Sequence, residues 1–194
     1  MKFAPILMQA PTTLPISLDE AKDHCRVGGA DHDSTIEALI EAAVGYLDGY
    51  TGVLGKCLMP QTWAQEFDCW QDFPLCLGPV TELQSISYFD RDGTEQALNV
   101  ETVRIERRVI ETVAALKPGK SWPDDADFGE GLITVTWKAG YVDAASVPPA
   151  IKHAMKLLIG HWFENREAVI VGSINSNLQL AVESLIAPHR RVGP

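Results

Sequence analysis

The sequence predicts an α+β fold, a small helical bundle with an antiparallel β region inserted into it. Three observations carry the prediction. Amphipathic helical periodicity stands toward both ends of the chain, in 17–52 and 148–164. Between 57 and 141 the apolar period shortens to two, with turn residues separating the runs. The 194 residues are 46% apolar and 22% charged, which is ordinary for a globular chain long enough to bury a real core.

In chain order, residues 1–16 read as an extended lead-in broken by Pro5, Pro11 and Pro15. Ser17, Leu18, Asp19 and Glu20 form a capping box: the serine hydroxyl accepts an orphan amide and Glu20 reaches back to the Ser17 amide. A short helix follows to about Arg26, with Gly28 and Gly29 as its stop. Asp31, His32 and Asp33 make a polar loop. Ser34, Thr35, Ile36 and Glu37 then read as a second capping box. The helix it opens runs to about Thr51, stops at Gly52, and carries Ile36, Leu39, Ile40, Ala43, Leu47 and Tyr50 as its apolar stripe. Gly45 and Gly49 fall inside that helix. Each costs up to about 1 kcal/mol relative to alanine, so they either admit another backbone or are tolerated.

The strands follow. Residues 61–67 alternate, as do 83–89, and Arg91, Asp92 and Gly93 signal a hairpin into 96–100. Val103 and Ile105 with Val109 and Ile110 suggest a further strand pair. Residues 132–137, rich in β-branched side chains, are the clearest strand. A loop rich in proline and aspartate, 119–131, carries Trp122. Pro148 and Pro149 then open the second long helix, since a first helical turn has no use for their missing amide protons. Ile151, Ala154, Met155, Leu158, Ile159, Trp162 and Phe163 are its stripe, with the last two assigned to the core. Beyond Asn165, Arg166 and Glu167 lie a small apolar loop, 168–172, a polar turn, a final short helix carrying Leu178 to Ile186, and the tail His189, Arg190, Arg191.

Composition and spacing exclude most chemistry. The net charge of −10 disfavours non-specific nucleic-acid binding, which needs a basic face. The local groups Arg104, Arg107, Arg108 and His189, Arg190, Arg191 read as solvated surface. Cys25, Cys57, Cys69 and Cys76 form no Cys-x-x-Cys pair and read as free thiols. His161 and Glu164 share a helix face, but no second such pair completes a metal site. The loop 31–33 is too short a ligand ladder for calcium. There is no P-loop, nucleophile elbow or dinucleotide fingerprint. Asp124, Asp125 and Asp127 with Glu130 leave one enzymatic alternative, a viral-origin hydrolytic site in the loop 124–130; a monomeric scaffold protein is the other. No cofactor or metal is expected. The opening residues are too broken for a signal peptide, and no run reaches membrane-spanning length. Synthesis in the cytosol is the corresponding expectation.

Several stretches together carry a resemblance: Leu18, Asp19, Glu20, Ala21, Lys22 with Arg26 and Val27; the helix from Ile36 to its Tyr50, Thr51, Gly52 end; Gln61, Thr62, Trp63; and 136–141. The run from His161 to Val169, followed by 185–190, is the most specific. Together they resemble the tailed-phage head–tail connector family, including the adaptors of gene transfer agents. One departure is that 52–59 is slightly longer than the usual turn into the Gln-Thr-Trp strand. The resemblance implies a single connector domain over 1–194, with a helical body at 17–56 and 147–187, a β insertion at 57–141 and a C-terminal arm at 168–194. It implies a structural subunit of a ring, usually dodecameric, in the neck of the particle between the portal protein and a tail-side stopper or terminator protein. Such a ring lines the channel through which DNA passes without sequence-specific binding, with no membrane involved. The arm is expected to be ordered mainly by partners. Its expected interface residues are Asn165, Arg166, Glu167, Val169, Ile170, Val171, Leu178, Leu180, Leu185, Ile186, Arg190 and Arg191.

Overall fold

The structure, a computed structural model, describes residues 3–127, 132–165 and 176–191. In chain order the elements are β1 (Ile6–Gln9), α1 (Leu18–Cys25), α2 (Asp33–Leu47), β2 (Gln61–Phe67), β3 (Phe73–Leu75), β4 (Val80–Phe89), β5 (Glu95–Leu98), β6 (Val103–Arg107), β7 (Thr112–Leu116), β8 (Ile133–Ala139), α3 (Pro149–Glu164) and α4 (Ser176–Ile186). The fold is α+β. The chain forms two compact units, a sheet unit from 3–12 and 60–140 and a helical unit from 13–59 and 141–191.

In the helical unit α3 packs against α1, α2 and α4. Its Ile151, Ala154, Met155, Leu158 and Ile159 are buried, at the three- and four-residue steps read from the sequence, while Trp162 and Phe163 are half-buried against the same core. Burying each of Ile151, Met155, Leu158 and Ile159 contributes roughly 1.5–3 kcal/mol, and the Ala154 methyl less. The Ser17 box forms as read: Oγ accepts from the Glu20 amide at 3.1 Å, and the Ser17 amide donates to Glu20 Oε2 at 3.0 Å. Helix α1 ends earlier than Gly28, because Arg26 itself turns left-handed at φ 56°; its amide donates to the carbonyl of Asp23, and that of Val27 donates to Lys22.

The second box does not form. Helix α2 is entered at His32, which gives no side-chain cap, and Ser34 lies in the first turn. The helix also ends at Leu47, not Thr51. Asp48 is extended, its carboxylate accepts the Leu58 amide at 2.5 Å, and the chain folds back through an Asp48–Lys56 bridge. Gly49 sits at φ 76° in that turn. A Cβ on Gly52 would lie 2.2 Å from the Asp48 carbonyl oxygen, so glycine is required there. Gly45 remains helical with open space beside it, and is simply tolerated. Tyr50 leaves the stripe and is 49% exposed.

Among the described residues the inserted region, joined by β1, builds two antiparallel sheets instead of one, in strand orders β1-β2-β8-β4-β5 and β3-β7-β6. Strand β8 alternates buried and half-buried along its length, and the fully buried Trp137 donates its indole N–H to the Leu77 carbonyl at 3.2 Å. The hairpin forms as read, with Gly93 at φ 76° and Asp90 Oδ1 accepting the amides of Asp92 and Thr94. Strand β1 emerges from the lead-in, pairing Ile6 with Ala64 and Leu7 with Trp63. Val109 and Ile110 are not strand residues. They occupy the turn between β6 and β7, and the partner of β6 is Thr112–Leu116, whose Val113, Ala114 and Ala115 are buried.

Candidate partner interface

The twelve expected interface residues divide three ways. Arg166, Glu167, Val169, Ile170 and Val171 lie outside the described residues. Asn165 closes α3: its amide donates to the His161 carbonyl at 3.0 Å and its side-chain amide to the same oxygen at 2.8 Å. The remainder belong to α4 and the turn after it.

Helix α4, where the expected body at 147–187 and the expected arm at 168–194 overlap, packs on the core of the helical unit; 168–175 and 192–194 lie outside the described residues. Val182 and Ile186 are buried in the core of the helical unit, and Leu178 and Leu185 pack half-buried against it. Ile186 is therefore a core residue in its own chain. Leu180, 65% exposed, is the apolar side chain that this helix leaves to solvent. Pro188 does not simply stop the chain. It lies in a 3-10 turn, Ala187–His189, that hands on to a clamp. Arg190 donates from Nε to the Val53 carbonyl at 3.1 Å, and the Arg191 amide donates to the Leu54 carbonyl at 2.9 Å. The basic end of the chain is thus tied to the loop after α2.

Beside this surface a cleft of about 250 Å³ is lined by His24, Cys25, Leu157, Gly160, His161, Phe163, Glu164 and Leu178. Gly160 makes room for the His24 ring; a Cβ there would stand 3.3 Å from two ring atoms. Burial, then the neighbouring His153 and Lys156, hold the His24 imidazole below its usual value. Burial and the charge of Glu164 push the Cys25 thiol up, away from the thiolate a nucleophile needs. Among the described residues no group of three or more histidine, cysteine or acidic side chains is placed to hold a metal ion.

The acidic loop is occupied in structural bonds. Tyr88 donates its hydroxyl to Asp125 Oδ1 at 3.1 Å, and Arg91 donates to the Asp124 carbonyl at 2.8 Å. Ala126 bridges to Asp90, and the Asp127 amide donates to the Phe89 carbonyl. Glu130 lies outside the described residues. What pins the loop is Trp122, stacked on Trp70 with ring centroids 5.0 Å apart, within a cluster that includes Phe67, Phe73 and Tyr88. The Arg104 and Arg108 guanidiniums pair with Glu106, and Arg108 also with Asp72, so most of that basic group is neutralised. No disulfide joins the four cysteines. Among the described residues, no helix is long and apolar enough to cross a membrane.

Residues 15–99 match the family of phage gp6-like head-tail connector proteins, which bears out the resemblance read in the sequence. Three solved structures share the fold over nearly the whole chain. A chain in the neck of an empty GTA particle, computed with C6 symmetry, aligns with a TM-score of 0.76 at 19% identity, covering 99% of this chain and 97% of that one. One in the virion of a native gene transfer agent particle aligns at 0.69 and 18%, with coverage of 99% and 97%. One in the neck of a native GTA particle, computed with C12 symmetry, aligns at 0.63 and 20%, covering 97% of each. No curated protein sequence matches.

Proposed function

We propose that this chain is a structural connector subunit, not an enzyme, whose copies form a ring in the neck of a phage or gene transfer agent particle. The observation that carries this reading is the two-way coverage. The alignment takes in 99% of this chain and 97% of a neck chain, so the fold of one accounts for nearly all of the other. The connector-family match at 15–99 supports it from sequence. Six- and twelve-fold necks both suit a ring of identical copies, and the twelve-fold one suits a dodecamer. In such a ring the portal protein lies on one side and a tail-side stopper or terminator protein on the other. An acidic wall suits the duct between them: a chain of net charge −10 repels phosphate, and DNA slides past it unheld. The chain is then made in the bacterial cytoplasm and incorporated at the neck.

Exposed Leu180, with 165–171 and the turn after α4, is the surface assigned to these partners. The test is genetic and structural. Deleting the gene is expected to leave filled heads without tails, and images of complete particles to place this chain between portal and tail. Complete, active particles from the deletion would sink the reading. Leu180→Asp is expected to leave the fold intact and to lower incorporation at least tenfold, as measured by the chain's abundance in purified particles.

A further inference from the structure

We propose that neighbouring copies meet through two apolar patches of the sheet unit, the β1 edge of one copy receiving the β6–β7 hairpin tip of the next. The proposal rests on the ring reading above and names the surfaces that build the ring.

Strand β1 is an edge of the five-stranded sheet, paired on one side with β2. Its Ile6, Leu7 and Met8 are 57%, 43% and 63% exposed. Ile6 and Leu7 point to opposite faces, so this edge is bare on both faces of the sheet, and the register slips at Met8. Protein edges of this kind are ordinarily blunted with lysine, proline or a cover. Here residues 3–17 hold no charged side chain, and Pro5 and Pro11 flank the strand without entering it.

The second patch is the turn after β6. Val109 is fully exposed and Ile110 is 64% exposed. Turns are normally built from glycine, proline, asparagine, aspartate and serine, yet this one displays two β-branched side chains outside any core. Exposed Arg107 stands beside them.

The ring of copies read above supplies the occupant, a second copy, and charge permits it. A chain carrying −10 repels its own copies wherever acidic surfaces meet. The β1 stretch is uncharged and the tip brings Arg107, so these two patches approach each other without like-charge cost. Because they are different patches, the contact is head-to-tail. Such a contact propagates, and closes into a ring where the rotation between copies divides a full turn, whereas β1 against β1 would stop at a pair.

The test uses Met8→Asp and Val109→Asp, both at exposed positions, with circular dichroism and thermal melting to confirm an unchanged fold. Wild-type protein is expected to associate in sedimentation runs at rising concentration, and each variant alone to lose that association at least tenfold. Mixing the two variants is expected to give dimers and nothing longer, because one intact patch survives on each. A Met8→Cys, Val109→Cys double variant is expected to give an oxidised ladder that wild-type protein, with its native thiols, does not give. The proposal is overturned if wild-type protein stays monomeric at every concentration. Association that persists in both variants, or a mixture that restores nothing, overturns it equally. Retention of wild-type but not Val109→Asp protein on duplex DNA would assign the tip to nucleic acid and overturn it too. Association through other surfaces would leave the connector reading standing, since that reading depends on the particle experiment alone.

Discussion

Glu20 holds two parts of the helical unit with one carboxylate. Oε2 accepts the Ser17 amide and closes the cap, while Oε1 pairs with Lys152 of α3 at 2.8 Å. The Lys152 bond first, and the Ser17 amide second, hold its pKa below the ordinary 4.5. A depressed carboxylate contributes stability that is fully present above the unfolded value and lost as pH falls through the folded one. Thermal melting of wild-type protein should therefore lose this contribution below about pH 4.5, and Glu20→Gln should remove that part of the slope. The effect is small, because the side chain is 38% exposed and screened. Ser17→Ala should cost about 1 kcal/mol. Gly45→Ala, with nothing within 4 Å of the added methyl, should stabilise by about 0.5–1 kcal/mol, read as a higher melting temperature. The cap was legible because serine and glutamate lie three residues apart. The Lys152 half was not, since only the packing of α3 brings it there. The Ser34 box had the same letters and failed, because α2 begins at Asp33, whose carboxylate is drawn to Lys22.

Elements with strong internal period were readable. Helix α3 and strand β8 need only their own pattern to announce which face is buried. Three strands were missed or displaced for separate reasons. β1 hides among prolines, and β3 is three residues long. β7 buries alanines that carry little strand signal, while the β-branched Val109 and Ile110 drew the assignment into the turn. The loop at 119–131 looked like a place for carboxylate chemistry, but in its described part, 119–127, Trp122 is stacked on Trp70 and aromatic packing holds it. For α4 the sequence supplied the helix and not its attachment, because Val182 and Ile186 find their partners on other elements. Ile186→Ala should cost about 2–5 kcal/mol in denaturant unfolding, and Leu180→Ala should stay within about 0.5 kcal/mol of wild type. Equal, small effects from both would mean that α4 is loosely held.

At the scale of the molecule, the charge of −10 makes a testable statement about DNA. Fluorescence anisotropy with a labelled duplex at about 0.15 M salt should show no binding, and a steep salt dependence would reveal the contrary. The strand order has a consequence for the birth of the protein. β8 is the middle strand of the larger sheet, flanked by β2 and β4, although it is the last of the eight to leave the ribosome. Helix α3, against which α1 and α2 pack, follows later still. The two units are therefore interleaved in time. The sheet waits for residues 133–139 and the helical core for 149–164, so neither can be completed while the first two thirds of the chain are being made. The nascent chain must hold its early apolar segments, β2 and the stripe of α2 among them, without their partners until late in translation. Growth temperature and synthesis rate should then govern the yield of folded subunit more strongly than the stability of the finished one does.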